Sequence, residues 1–108
     1  MDIQLPSGVW SGHYEQACSK YAQQATLEFA DGLIRGDGAD DIGLFSIEGE
    51  YRIDKGEVRM GWIKTYQGAH SVLYLGKLKG SNITGKWDIS GWGGNFALAP
   101  APQGRDLR

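Results

Sequence analysis

Lys64 stands in the stretch "MGWIKTY" at a position where the local pattern asks for an apolar side chain. In an extended chain successive side chains point to opposite faces, so Met60, Trp62, Lys64 and Tyr66 share one face. An unpaired ammonium in a packed interior is costly, so this lysine must reach solvent from a strand end or find a partner. The plain reading is a lysine that snorkels to water along its apolar stem. The functional reading is a cup walled by Trp62, Tyr66, Tyr74 and Trp87, in which Lys64 is the polar anchor for a small apolar, aromatic or anionic ligand.

Other chemistry-bearing residues are sparse. "GDGADD" holds Asp37, Asp40 and Asp41 within five residues. Calcium loops space their ligands at alternate positions and add a later bidentate glutamate, which this segment lacks, so it reads as an acidic turn with no metal. His13 falls on the outer face of the first strand and His70 in a loop. Neither has a second histidine, cysteine or serine at a suggestive spacing, so no catalytic constellation is predicted and no cofactor is implied. A hydrolase or isomerase using either ring needs a carboxylate within hydrogen-bond reach.

The elements that must position these residues are strands. Helical periodicity is almost absent; short alternating segments are broken by glycine, asparagine and aspartate at short intervals. Strands are predicted over residues 8–15, 23–30, 33–36, 43–53, 58–66, 71–78 and 82–89, with an eighth carrying Phe96 and Leu98 after a "SGWGGN" turn. Asp-Gly after the second strand is a strong hairpin signal. No junction leaves room for a crossover helix, so neighbours pair antiparallel and close into an all-β, eight-stranded up-and-down barrel over residues 1–100. Residues 101–108, "APQGRDLR", read as a disordered tail.

One spelling recurs in these strands: a large apolar residue, a spacer, glycine, a spacer, a large residue. It appears around Gly12, Gly49, Gly76 and Gly85. Strands of a small barrel coil sharply, and a glycine on the inner face relieves crowding while a neighbouring ring lies across the gap. The pattern is first a packing device, and it leaves room for a pocket at an open end.

Composition narrows the partners. At 108 residues the chain can bury a core of its own. Eleven basic residues are scattered among thirteen acidic ones for a net charge of −2, which speaks against nucleic acid and anionic membranes as partners. Cys18 is the only cysteine, which excludes an intrachain disulfide. With no secretory signal legible in "MDIQLPSG", the expected location is cytoplasmic.

Several stretches resemble the avidin and streptavidin family of eight-stranded, calycin-type barrels. "IEGEY" resembles that family's leucine-threonine-glycine-x-tyrosine strand, and "GWIKTY" its glycine-tryptophan strand. "AHSVLYLG" resembles its alanine-histidine-serine strand, "ITGKWDISG" the strand carrying the tryptophan near the biotin rings, and "GVW" the opening strand. Trp87 is then the match for the wall tryptophan and Ser71 for the family's serine. The family's polar asparagine falls on Gly12, its loop tyrosine has no counterpart in "RGDGADD", and Leu73 stands where a polar contact is expected. The last strand lacks the aspartate that meets the ureido group. The resemblance therefore implies the architecture and a pocket at one barrel mouth, without the biotin ligand set.

On the outer face Ile63, Leu73 and Leu75 fall on neighbouring strands, with Leu44 on a third. Grouped exposed aliphatics mark a partner surface. The expected function is binding of a small molecule at one mouth; the alternative is a filled barrel that acts as an oligomerisation or protein-interaction module, a dimer in its simplest form, through this face.

Overall fold

A computed structural model describes residues 5–101 as a closed barrel of eight antiparallel strands in up-and-down order, with no helix. The strands are β1 (Gly8–Gln16), β2 (Ser19–Ala30), β3 (Leu33–Asp40), β4 (Leu44–Asp54), β5 (Glu57–Tyr66), β6 (Ser71–Lys79), β7 (Asn82–Ile89) and β8 (Trp92–Pro100). β8 pairs back onto β1 from Trp10–Pro100 to Tyr14–Phe96, and this closure removes the sheet edges. The all-β, eight-stranded up-and-down architecture expected from the strand pattern is the one observed.

Three segments are more extended than their residues announce. β2 begins at Ser19 because Ala17 and Cys18, at φ 51° and 70°, make a two-residue turn without the usual asparagine or glycine. The stretch read as an acidic loop continues β3 to Asp40, with Gly36 paired to Leu27 and Ile47, and Gly38 to Ala25 and Phe45. The glycine-rich segment after β7 is likewise strand from Trp92 onward. In each case pairing on both sides holds backbone whose composition alone reads as loop.

Register explains the recurring glycine. On the inner face Gly12 is the cross-strand neighbour of Leu98, Gly36 of Ile47, Gly38 of Phe45, Gly49 of Trp62, Gly76 of Met60, and Gly85 of Phe96. Each small position lies beside a large one, the alternation that fills a small barrel. At Gly85 a Cβ would meet the carbonyl oxygen of Leu75, so the strands approach there in a way only glycine allows. The Phe96 ring lies across Gly76 and packs edge-on against Trp62 and Tyr74.

The two ends differ. The lower end, where β2–β3, β4–β5 and β6–β7 connect, is closed by Trp10, Phe29 and Tyr51 in successive edge-to-face contacts at 5.8 and 5.9 Å. Residues leading into β1 seal it: Leu5 packs on the core, Trp10 Nε1 donates to Pro6 O at 2.9 Å, and Phe29 N donates to Ser7 Oγ at 3.0 Å. The upper end carries the β1–β2, β3–β4, β5–β6 and β7–β8 connections. Residues 1–4 of the expected barrel domain lie outside the described residues, and so does the expected tail beyond Ala101, whose own N–H still donates to Val9 O at 2.8 Å. Among the described residues no helix is long and apolar enough to cross a membrane.

Candidate functional site

Lys64 enters the interior from β5 near the upper end and does not reach water; its side chain is 1% exposed, and that of its partner Asp40 is fully buried. Its three ammonium protons meet three acceptors: Asp40 Oδ2 at 2.7 Å, Tyr74 Oη at 3.0 Å and Gln23 Oε1 at 3.1 Å. Four rings close around the same nitrogen, the nearest that of Phe45 at 4.4 Å. A lysine on the inner face is tolerated because every donor is satisfied and the charge is matched.

Asp40 is the hinge of this network. Its Oδ2 accepts from Lys64 and from the Tyr66 hydroxyl at 2.5 Å, while Oδ1 accepts from the backbone N–H groups of Ile42 and Gly43 at 2.9 and 3.3 Å. One carboxylate thus ties the β3–β4 loop to the barrel interior. The next residue repeats the arrangement, since Asp41 Oδ1 accepts from the Tyr14 hydroxyl at 2.5 Å.

Burial opposes charge here, and the hydrogen bonds decide which groups stay charged. Burial alone would raise the Asp40 carboxyl, but the bonds from Lys64 and Tyr66 outweigh it and hold it below its usual value. Burial pulls the Lys64 ammonium below its ordinary range, while Asp40 pulls it back up; with three acceptors in place we take it as charged at neutral pH. Tyr14, Tyr66 and Tyr74 are all pushed well above the normal phenol value, first by burial and then, for Tyr14 and Tyr66, by the carboxylates that hold their protons.

Above this network the upper mouth opens into a cavity of about 220 Å³. Its principal walls are Tyr14, Tyr66, His70, Tyr74, Trp87 and Trp92. Trp87 stands perpendicular to Tyr14, with ring centres 6.2 Å apart and planes at 89°, and perpendicular to Trp92 at 5.4 Å and 90°. Trp87 is held there by its Nε1–H, which donates to Glu15 O at 2.8 Å. Trp92 folds back over the barrel end yet stays 55% exposed. His70 leans on the Tyr66 ring at 5.0 Å.

Of the five residues assigned to the cup, Tyr66, Tyr74 and Trp87 line this cavity together. Trp62 lies a layer deeper, stacked on Tyr74 at 5.5 Å, and its indole N–H has no hydrogen-bond partner among the described residues. Lys64 sits behind the floor, joined to the cavity through the Tyr74 and Tyr66 hydroxyls rather than facing it. Sequence reasoning missed Gln23, Asp40, Asp41 and Tyr14 as parts of the site. Gln23 has a legible signal, since it shares the inward parity of Ala25 and Leu27. Asp40 is legible only once β3 is known to run through Gly36 and Gly38, which puts it inward at the strand's last position.

On the outer wall Ile63 and Leu73 pair directly across β5 and β6, and Leu75 follows opposite Gly61. These three form one exposed aliphatic patch, with Leu75 the most open at 56%. Leu44 is exposed too but stands apart, in register with Gln67 near the upper rim, whereas Ile63 pairs with Glu48. Of the histidines, His13 lies 3.5 Å from Glu15, two positions further along β1. No protein-family model and no curated protein matches this chain.

Proposed function

We propose that this protein is a binding barrel whose upper mouth receives a small ligand of apolar and aromatic character. The observation that carries this reading is the cavity of about 220 Å³ walled on several sides by aromatic rings, at one end of a barrel whose other end is sealed by its own side chains. The space is below the roughly 300–1,000 Å³ of drug-sized clefts, which limits the occupant to a small molecule or a single projecting side chain. The likeness to avidin-type barrels supports the position of the pocket and says nothing of its ligand, because fold does not carry function. Lys64 supports an anionic ligand less well than its sequence position promised, since all three of its donors are engaged.

The test is intrinsic tryptophan emission during titration with small aromatic, aliphatic and charged compounds, on the native protein and on Trp92→Phe. Saturable quenching or a blue shift that is altered in the variant is expected. A flat response to every compound overturns the reading.

A second reading rests on the Ile63, Leu73 and Leu75 patch, three exposed aliphatics on two neighbouring strands with Ile63 and Leu73 in register. In it the barrel assembles with a second copy through β5 and β6. Light scattering reports the mass: a dimer that reverts to monomer in Leu75→Lys supports it, and a monomer at high concentration removes it.

A further inference from the structure

We propose that the Ile63, Leu73 and Leu75 face joins a second copy of this chain turned end for end, about a two-fold axis that crosses the strands at Leu75; the inference rests on the second reading above. Its ground is a charge pattern held in register on the outer wall from β4 to β7. The row nearest the upper end is Glu48, Ile63, Leu73 and Asp88, with two acids and no base. Two positions down, the centre row is Glu50, Gly61, Leu75 and Lys86, with one of each. The row below it is Arg52, Arg59, Lys77 and Thr84, with three bases and no acid.

The lower row is unfavourable for an isolated barrel. Arg52 stands directly opposite Arg59, and Arg59 opposite Lys77; like charges facing each other across strands cost stability. Glu57 answers part of this charge, 2.9 Å from Arg59 and 3.7 Å from Lys77, while Arg52 makes no ion pair among the described residues. A chain with a net charge of −2 thus gathers a positive strip beside its exposed aliphatic patch. A partner that sets carboxylates against the strip and apolar surface against the patch relieves both, and the upper row of another copy carries both.

Rotation about a two-fold axis along the centre row lays each upper row over the other copy's lower row. Glu48 then meets the partner's Arg52. The stems of Arg59 and Lys77 lie over the partner's Ile63 and Leu73, with their charged heads toward its Glu48 and Asp88. Leu75 meets its own counterpart beside Gly61, where the missing side chain leaves Leu75 leaning over the backbone: a Cβ there would come within 2.9 Å of Leu75 Cδ2. Glu50 and Lys86 meet their own counterparts at the two edges, which costs less than the two facing rows gain. The other face-to-face rotation, about an axis along the strands between β5 and β6, sets lower row against lower row and upper against upper. It drives Arg59 onto the partner's Lys77 on the two central strands, where two convex walls touch, and Glu48 onto the partner's Asp88; such like-charge contacts reject that arrangement.

The experiment is sedimentation equilibrium with light scattering over a dilution series at low salt, on the native protein, Glu48→Arg, Arg52→Glu, the double variant and Leu75→Lys. All four positions are exposed, and circular dichroism checks that the barrel remains. The native protein is expected to dimerise and Leu75→Lys to be monomeric. Each single charge reversal is expected to weaken the dimer roughly three- to thirtyfold, because two exposed pairs per dimer become repulsive. The double variant, and an equimolar mixture of the two single variants, are expected to return to within about threefold of native, since every reversed group then meets an opposite charge. Weakening that neither the double variant nor the mixture repairs, a dimer that Glu48→Arg tightens, or one that neither reversal changes overturns the end-for-end pairing. The second reading then stands if Leu75→Lys is monomeric and falls as well if that variant still dimerises. A native protein that stays monomeric at high concentration removes both.

Discussion

Lys64 Nζ and Asp40 Oδ2 lie 2.7 Å apart with neither side chain open to solvent, although 24 positions separate them in the chain. β5 contributes the lysine and the end of β3 the aspartate; the pairing of both strands with β4, in which Ile47 lies between Gly36 and Lys64, brings them together. The pair anchors the β3–β4 loop and lies behind the floor of the cavity, so the residues that hold this end of the barrel together also shape the cavity.

Breaking this pair from one side should be expensive. Asp40→Ala leaves an ammonium among four rings with two neutral acceptors, and a loss of about 3–5 kcal/mol is expected, as for other half-removed buried ion pairs. The double change Lys64→Met with Asp40→Leu should cost clearly less than the sum of the two singles. Urea denaturation of all four proteins reads this directly; additive losses would show that the two residues are not coupled.

The protein's stability should fall on the alkaline side. Tyr14, Tyr66 and Tyr74 are raised in the folded state, so their contribution is full below the unfolded phenol value of about 10 and is lost as pH climbs past it. Lys64 works in the opposite sense, because its depressed folded value makes stability rise with pH up to about 10.5, and one lysine is set against three phenols. Tyrosinate absorbance should therefore appear for these residues only together with unfolding, and Tyr66→Phe should flatten the alkaline slope. On the acid side Asp40, depressed in the fold, contributes above about pH 4 and loses its share as pH drops through its folded value.

The β1–β2 turn can be improved. Ala17 and Cys18 occupy left-handed backbone, a conformation costing roughly 1–2 kcal/mol for an ordinary side chain. Ala17→Asn with Cys18→Gly installs the favoured pair for such a hairpin and should stabilise the protein by about 1 kcal/mol. A thermal melt is sufficient, and a lowered midpoint would show that the turn is held by something other than its dihedral angles.

Gly85→Ala is expected to destabilise by roughly 1–3 kcal/mol, since the added methyl group drives into the Leu75 carbonyl and the backbone of Gly76 rather than into a side chain that can swing away. Ala at Gly56, where the space beside the backbone is empty, isolates the separate cost of a positive φ. A negligible loss at Gly85, whose backbone is ordinary extended strand, would mean that the strands part there at little cost and that close approach does not explain the glycine on β7.

The sequence by itself determined the class and most of the barrel. Alternation of Phe45, Ile47, Val58, Met60 and Trp62 with charged neighbours has only one period, and turns such as Asp31-Gly32 and Lys55-Gly56 leave only antiparallel neighbours. It also marked Lys64 as an inward charge, and named Tyr66, Tyr74 and Trp87 as residues on the same side of their strands. Tertiary structure alone decided how that charge is answered. Gly36 and Gly38 carry no side chain to announce a strand, so the run that aims Asp40 inward gains its shape only from β2 and β4 on either side. The perpendicular ring contacts of Tyr14 with Trp87 and of Trp87 with Trp92 join the first strand to the last two, and local pattern holds no information about contacts that exist only after a barrel has closed.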